Sequence, residues 1–153
     1  MIKKIFFISF IIIFISGCGY TPIYSKKDQN FKIGKIETSG NTKLNKTIIR
    51  NIKNFTKKNT NTNKIFNLKL ETNLNKNIKS KDTKGNPKTF EIKIITKLIV
   101  NKDETNSLSK SFSYSSFYNT LDSEFELNKY EKKIEKILIS KVTQKIIVYL
   151  QTL

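Results

Sequence analysis

Alternating apolar and polar residues predict strands in the middle of the chain. The segment KIFNLKLETNLN, residues 64–75, places Phe66, Leu68 and Leu70 on one face and polar side chains on the other. The segment KTFEIKIITKLIV, residues 88–100, repeats this alternation over a longer stretch, and only Thr96 interrupts its apolar face. That apolar face consists of Phe90, Ile92, Ile94, Leu98 and Val100. A period of two residues is typical of a strand with one buried face.

Two further segments have a weaker strand pattern. In FKIGKIETSG, residues 31–40, Phe31 and Ile33 alternate with lysine and glycine, and Gly40 ends the predicted strand. In SLSKSFSYSSFYN, residues 107–119, the alternation is loose enough to indicate a solvated strand or a strand at the edge of a sheet. The turns DTKGNP and NKDETN join the last three strands, which predicts an antiparallel meander.

A helix is predicted between the first two strands. Its apolar residues in NTKLNKTIIRNIKNFTKK recur at spacings of three and four, the period of an amphipathic helix. These residues are Leu44, Ile48, Ile52 and Phe55. Either Asn41 or Thr42 can be the N-cap, and Lys57 and Lys58 lie in the last turn.

The C-terminal segment, residues 121–153, predicts a long second helix. It contains an apolar row at every fourth residue: Ile134, Leu138, Val142, Ile146 and Leu150. We expect Tyr130, Ile137 and Tyr149 to flank this row. Either Asp122 or Ser123 can be the N-cap. The negative charges of Glu124 and Glu126 are stabilising there, because they lie near the positive end of the helix dipole.

The order of these elements predicts one α+β domain spanning residues 31–153. The order is strand, helix, three strands, helix, and both helices can cover the same face of a four-stranded, mostly antiparallel sheet. The expected architecture is therefore a two-layer sandwich, with one layer of helices and one layer of strands.

The N-terminus, MIKKIFFISFIIIFISGC, has the layout of an export signal. A membrane-spanning helix needs about 20 apolar residues, and the apolar run from Ile5 to Ile15 is shorter than that. The segment ISGC resembles the bacterial lipobox, in which the cysteine receives a diacylglycerol before the signal is removed. We therefore predict a cleaved signal peptide at 1–17, lipid on Cys18 and a tether at 18–30. The alternative is a buried structural cysteine close to a cleaved signal.

Charge narrows the choice of partners. The chain has 29 Lys and Arg against 12 Asp and Glu, giving a net charge of +17, which favours anionic partners. Export removes most of the case for nucleic acid as the partner. The basic charge also has an alternative explanation, because an AT-rich genome would produce a lysine-rich composition without selection for binding. On the polar face of the third strand, Lys93 and Lys97 are the candidate contacts for an anionic ligand or for a β-barrel partner. The alternative is that these two lysines only solvate the sheet.

Residues suited to catalysis are scarce. The chain has no histidine, and with Cys18 lipidated no thiol remains for a nucleophile or a disulfide. The serines of SFSYSSF lie in no G-x-S-x-G context. Asp103 and Glu104 lie in a predicted turn without the further oxygens of a calcium loop. We expect no enzymatic activity, no metal site and no cofactor other than the covalent lipid.

Two segments carry a resemblance to a known family. The start CGYTPIY and the end SFYNTLDSEFELNKYEKKIEKILISKVTQKIIVYL are similar to the lipopolysaccharide-assembly lipoprotein LptE, particularly its α-proteobacterial forms. Ser123 and Phe125 match the start of that family's last helix, whereas the alanines associated with that helix are replaced here by Lys, Tyr and Ile.

The resemblance implies a non-catalytic role at the outer membrane. A member of that family plugs the lumen of a β-barrel translocon (LptD-like), helps the barrel to fold and binds lipopolysaccharide. Gly19 follows Cys18 where an aspartate retains many lipoproteins in the inner membrane, so the outer membrane is the expected destination. Two alternatives stay open: a stand-alone periplasmic lipoprotein that binds an anionic lipid or glycan, and a purely structural lipoprotein of the envelope.

Overall fold

The predicted order of elements is confirmed. A computed structural model describes residues 31–56, 62, 64–101 and 106–153. The predicted signal peptide, Cys18, the tether and the Asp103–Glu104 pair lie outside these residues. The elements are β1 (Lys32–Gly40), α1 (Thr42–Thr56), β2 (Ile65–Lys81), β3 (Pro87–Asn101), β4 (Ser107–Asn119) and α2 (Glu124–Gln151).

The four strands form one mixed sheet in the order β1-β2-β3-β4. Strands β2, β3 and β4 form the expected antiparallel meander, whereas β1 is parallel to β2. Parallel neighbours need a crossover connection, and α1 supplies it. A shift of register between Ile33 and Ile36 interrupts the alternation of β1. Strand β2 runs to Lys81, beyond the predicted segment, because it stays paired with β3 as far as Pro87.

A tight turn connects β1 to α1. Gly40 has φ +78°, and a Cβ atom at this position would collide with the carbonyl oxygen of Thr72. Glycine is therefore required here. The next residue, Asn41, is the N-cap, because its side-chain oxygen accepts a hydrogen bond from the Leu44 N–H at 3.1 Å. The Asn41 N–H donates to the Thr72 carbonyl at 2.7 Å, which ties the start of α1 to β2.

The core lies between the helices and one face of the sheet. Leu44, Ile48 and Ile52 of α1 are buried, and Phe55 packs half-buried beside them. The predicted apolar faces of the two central strands are buried, except that Phe90 is half-buried. The buried residues are Phe66, Leu68, Leu70, Ile92, Ile94, Leu98 and Val100. The chain therefore buries one continuous apolar layer, as the alternation indicated.

The residues that flank the apolar row on α2 are buried to different extents. All five residues of the row are buried, but Tyr130 is 44% and Ile137 47% exposed, and Tyr149 is half-buried. Ile139 and Ile147 are buried instead. The reason is that α2 contacts both the sheet and α1, so its buried arc extends toward α1 and leaves the side of Ile137 in solvent. Ser123 is the N-cap, and its hydroxyl accepts from the Glu126 N–H.

A buried polar contact joins α2 to the sheet. The Tyr118 hydroxyl, in a side chain that is 4% exposed, donates to Glu131 Oε1 at 2.6 Å. Lys76 Nζ donates to the same oxygen at 2.5 Å. Burial, and then the hydrogen bond to Glu131, raise the pKa of Tyr118 well above its usual value of 10.0.

This shift predicts a loss of stability in alkali. The folded-state pKa of Tyr118 lies above the unfolded one, so its contribution is complete below about pH 10 and decreases as the pH rises further. Between pH 9 and 11 we expect the unfolding free energy of the native protein to fall more steeply than that of Tyr118→Phe. The difference is at most about 1.4 kcal/mol per pH unit. Urea unfolding at several pH values measures both slopes, and equal slopes would contradict the assignment.

Candidate functional surfaces

The outer sheet face, opposite the helices, is formed by mostly polar side chains of the central strands, with Ile95 and Ile99 of β3 among them. Lys93 and Lys97 both lie on it, as the alternation of β3 predicted. They are four residues apart along one strand, which separates them by about 13 Å. Glu71 is the direct cross-strand neighbour of Lys97. Two residues before Lys93 on the same face is Glu91. The structure therefore places each predicted lysine near a carboxylate and does not bring the two lysines together.

A salt bridge at one end of this face holds Glu91. Lys79 Nζ lies 2.8 Å from Glu91 Oε2, and this interaction, followed by a hydrogen bond from the Ser115 hydroxyl, keeps the pKa of Glu91 below its usual value. Lys79 also lies 6.0 Å from the ring centroid of the exposed Phe117. Glu91 therefore compensates part of the charge of Lys79 and Lys93, which lowers the attraction of this end of the face for an external anion.

The helices carry a second, more strongly basic surface. The sequence of α1 contains four basic residues and no acidic one, and all four are exposed. On α2, each of four exposed lysines lies three or four residues from two of the others, which places them on one stripe. We call these eight residues the helix cationic surface: Lys43, Lys46, Arg50 and Lys53 of α1, and Lys129, Lys132, Lys133 and Lys136 of α2.

A cleft of about 370 Å³ lies between α1 and α2 within this surface. Its cationic lining residues are Lys43, Arg50, Lys132 and Lys136. Glu135 is the one carboxylate among the lining residues. Within the described part of the chain, none of those four cations has a carboxylate within 4.0 Å. The cleft therefore concentrates positive charge that a bound anion would compensate.

An apolar depression of about 590 Å³ adjoins the cleft and shares Lys132 and Lys136 with it. Three large, mostly apolar side chains at and just before the start of α2 line it, and Phe125 is 73% exposed. The other two are Leu121 and Tyr130, each 44% exposed. Exposed apolar groups beside clustered lysines suit a ligand that has both an anionic group and a hydrocarbon part.

This surface was not predicted from the sequence. Residues 42–56 and 124–151 are distant in the chain, so their lysines meet only because both helices pack on the same face of the sheet. Two signals were present nevertheless. One is the absence of acidic residues from α1, and the other is the helical spacing of the α2 lysines that follow Phe125 in the sequence.

Neither a metal site nor a membrane-spanning helix is found in the described part of the chain. Residues 31–56, 62, 64–101 and 106–153 contain no group of three Cys, His, Asp or Glu side chains that could hold a metal ion. Over the same residues, no helix is long and apolar enough to cross a membrane.

Comparison with known proteins finds similarity in structure only. No protein-family model matches the sequence, and no curated protein is significantly similar to it. Rare lipoprotein B from Shewanella oneidensis has a TM-score of 0.58 at 13% identity, over 78% of this chain and 95% of that one. A minor lipoprotein from Acinetobacter baumannii has a TM-score of 0.58 at 13% identity, over 80% and 90%. Lipoprotein B from Nitrosomonas europaea has 0.55 at 17% identity, over 80% and 86%. The chain therefore shares the fold of these bacterial lipoproteins.

Proposed function

We propose that this protein is an outer-membrane lipoprotein of the lipopolysaccharide export translocon, where it plugs and helps to assemble a β-barrel partner. The observation that carries the proposal is the shared fold with rare lipoprotein B, which extends over 95% of that chain. The lipobox-like ISGC and the CGYTPIY segment support it from the sequence. Several acyl chains on Cys18 would give lasting attachment to the membrane, since each buried methylene contributes about 0.8 kcal/mol.

In this role the helix cationic surface contacts lipopolysaccharide. Phosphate groups on the lipid fit the cleft, because Arg50 offers a planar fork of donors and the lysines act as point charges. The adjoining depression around Phe125 takes hydrocarbon. Lys93 and Lys97 on the outer sheet face are then free to face the lumen of the barrel. The two surfaces lie on opposite sides of the sandwich, so one protein can contact ligand and barrel together.

Affinity purification from outer membranes tests the proposal. The lipidated protein is extracted in detergent and captured, and its partners are identified by mass spectrometry, with Cys18→Ala as the control that lacks the anchor. We expect one large β-barrel protein in roughly equal amount. Recovery of the lipoprotein alone would contradict the plug role and would leave the stand-alone binding module or the structural lipoprotein.

A matched pair of variants tests which surface holds the anionic ligand. Lys132→Gln with Lys136→Gln removes two charges from the cleft, and Lys93→Gln with Lys97→Gln removes two from the outer sheet face. We expect the first variant to bind purified lipopolysaccharide about tenfold more weakly, since two charge-assisted contacts are lost. The second variant should change the affinity by less than about twofold. The reverse ranking would assign the ligand to the outer sheet face.

A further inference from the structure

The two edges of the sheet are built differently. Strand β1 has nine residues, a shift of register and charged side chains at Lys32, Lys35 and Glu37. Such features keep an edge from pairing with other chains. Strand β4 has 13 residues and pairs with β3 without any register shift. Its only charged residue is Lys110, and it contains no proline. Among the described residues no strand pairs with its other side, so β4 is a long and regular edge without these protections.

Serine residues supply most of the backbone N–H and C=O groups of β4 that face away from the sheet. The Thr120 N–H donates to the Lys88 carbonyl, which makes this cross-strand pair a hydrogen-bonded one. In an antiparallel ladder such pairs alternate. The even-numbered residues of β4 therefore bond to β3, and the odd-numbered residues direct their N–H and C=O groups away from the sheet. These residues are Ser107, Ser109, Ser111, Ser113, Ser115, Phe117 and Asn119.

A groove of about 410 Å³ follows this edge on the side of the helices. One wall is β4, including Phe112, and the other is the last part of α2, including Val148 and Tyr149. Lys110 and Lys145 line the groove, and no acidic residue is among its lining side chains. Lys110 Nζ lies 4.7 Å from the centroid of the Tyr149 ring. The groove is thus both basic and aromatic, and it runs beside an unprotected edge.

We propose that β4 is a docking edge that accepts an extended acidic segment of another protein as a fifth strand. Backbone groups of the segment bond to the odd-numbered residues of β4, and every second side chain enters the groove. Carboxylates there lie beside Lys110 and Lys145, and an apolar side chain packs against Phe112 and Tyr149. The inference does not rest on the proposed function, because it needs neither lipopolysaccharide nor a barrel.

Charge complementarity favours this occupant over a second copy of the chain. The sequence of β4, SLSKSFSYSSFYN, has no acidic residue, so β4 of a second copy could not neutralise Lys110 and Lys145. It would add another lysine to the interface. Two copies of so basic a chain, whose full sequence has 29 Lys and Arg against 12 Asp and Glu, also repel one another. A partner strand that carries carboxylates would neutralise Lys110 and Lys145 and would be attracted to the basic chain rather than repelled by it.

Binding of synthetic peptides to the mature lipidated protein in detergent tests the proposal. The peptides are about ten residues long, enough to cover most of the edge. Threonine occupies the positions that face away from the groove, and Asp, Asn, Val and Lys occupy the others in all combinations. We expect the tightest peptides to combine Asp with Val. Methylating the backbone nitrogens that face β4 should abolish their binding, whereas methylating the alternate nitrogens should not.

Variants of the protein localise the site. Lys145→Glu should weaken the best peptide about tenfold, whereas Lys141→Glu, the same change one turn away on α2, should alter its affinity by less than about twofold. Ser113→Pro removes an edge N–H without removing a bond to β3, so binding should be lost while urea unfolding stays cooperative. Slower hydrogen exchange at the Ser111 and Ser113 amides with peptide bound would place the strand on β4.

Three results would overturn the proposal. The first is a peptide panel with no preference for Asp. The second is binding that survives both Lys145→Glu and Ser113→Pro. The third is protection of the β4 amides that rises with protein concentration in the absence of peptide, which would make a second copy the occupant. Because the peptide measurement contains no membrane partner, its failure is distinguishable from failure of the translocon role.

Discussion

Replacing Leu138 by alanine is expected to lower the free energy of unfolding by about 2–5 kcal/mol, the usual cost of truncating a buried leucine. Leu138 is 1% exposed and lies in the row of α2 that packs on the core. The substitution removes apolar contacts and leaves a cavity that the surrounding side chains fill only partly. Since domains of this size are stable by about 5–15 kcal/mol, the loss is a large share of the total. Urea unfolding at neutral pH measures it.

The neighbouring residue supplies the matched control. Ile137 is 47% exposed, so Ile137→Ala removes a side chain of similar volume that is already half in water. We expect a cost below about 1 kcal/mol. The comparison also tests how α2 is rotated, because the sequence pattern placed Ile137 beside the buried row. Equal losses from the two substitutions would show that α2 buries both sides of that row in solution.

Replacing Thr96 by valine is expected to cost about 1–3 kcal/mol, although valine has nearly the same shape. Thr96 and Thr72 face each other across β3 and β2, both are 0% exposed, and their hydroxyl oxygens lie 3.1 Å apart. The single substitution leaves the Thr72 hydroxyl buried without that partner. A buried polar group that loses its hydrogen bond retains its full desolvation cost.

The double substitution Thr72→Val with Thr96→Val should recover most of this loss, because it removes both hydroxyls and leaves two apolar side chains of the same shape. A double-mutant cycle measured by urea unfolding gives the coupling between the two positions. Additive losses from the two single substitutions would contradict a shared hydrogen bond. The cycle also tests why threonine interrupts the apolar face of β3 at this one position.

The helix cationic surface and the β4 edge lie on different parts of one small domain, and each is proposed to bind a different partner. The eight cations of the first lie on the outer sides of the helices, and the edge lies along the side of the sheet. An anionic ligand on the helices would therefore leave β4 accessible to an extended partner segment. The variants proposed for each surface change no residue of the core, so their effects on binding are separable from effects on folding.

Much of the fold could be predicted because its elements are periodic. The alternation in residues 88–100 and the four-residue spacing from Ile134 to Leu150 each place apolar residues on one face, and the two faces are buried in the same core. The parallel pairing of β1 with β2 was not foreseen. Strand direction depends on where α1 returns the chain, and the alternation of side chains is the same in a parallel and an antiparallel strand.

The candidate sites were harder to predict because they combine segments that are distant in the chain. Lys93 and Lys97 lie on the outer sheet face, since the period of a strand fixes the face of every residue. Whether an anion binds there depends also on neighbours such as Glu71, which another strand supplies. The cleft between α1 and α2 and the groove between β4 and α2 have walls from separate elements, and neither can be seen in one segment.

By itself, the sequence determined the element types, their order and most of the buried residues. It did so because burial of apolar surface imposes a period on each strand and helix. Tertiary structure alone decided the rotation of α2 that exposes Ile137, the pairing of Thr72 with Thr96 and the contact of Tyr118 with Glu131. It also brought the lysines of the two helices together. These features depend on distances between residues far apart in the chain, and a local pattern contains no information about such distances.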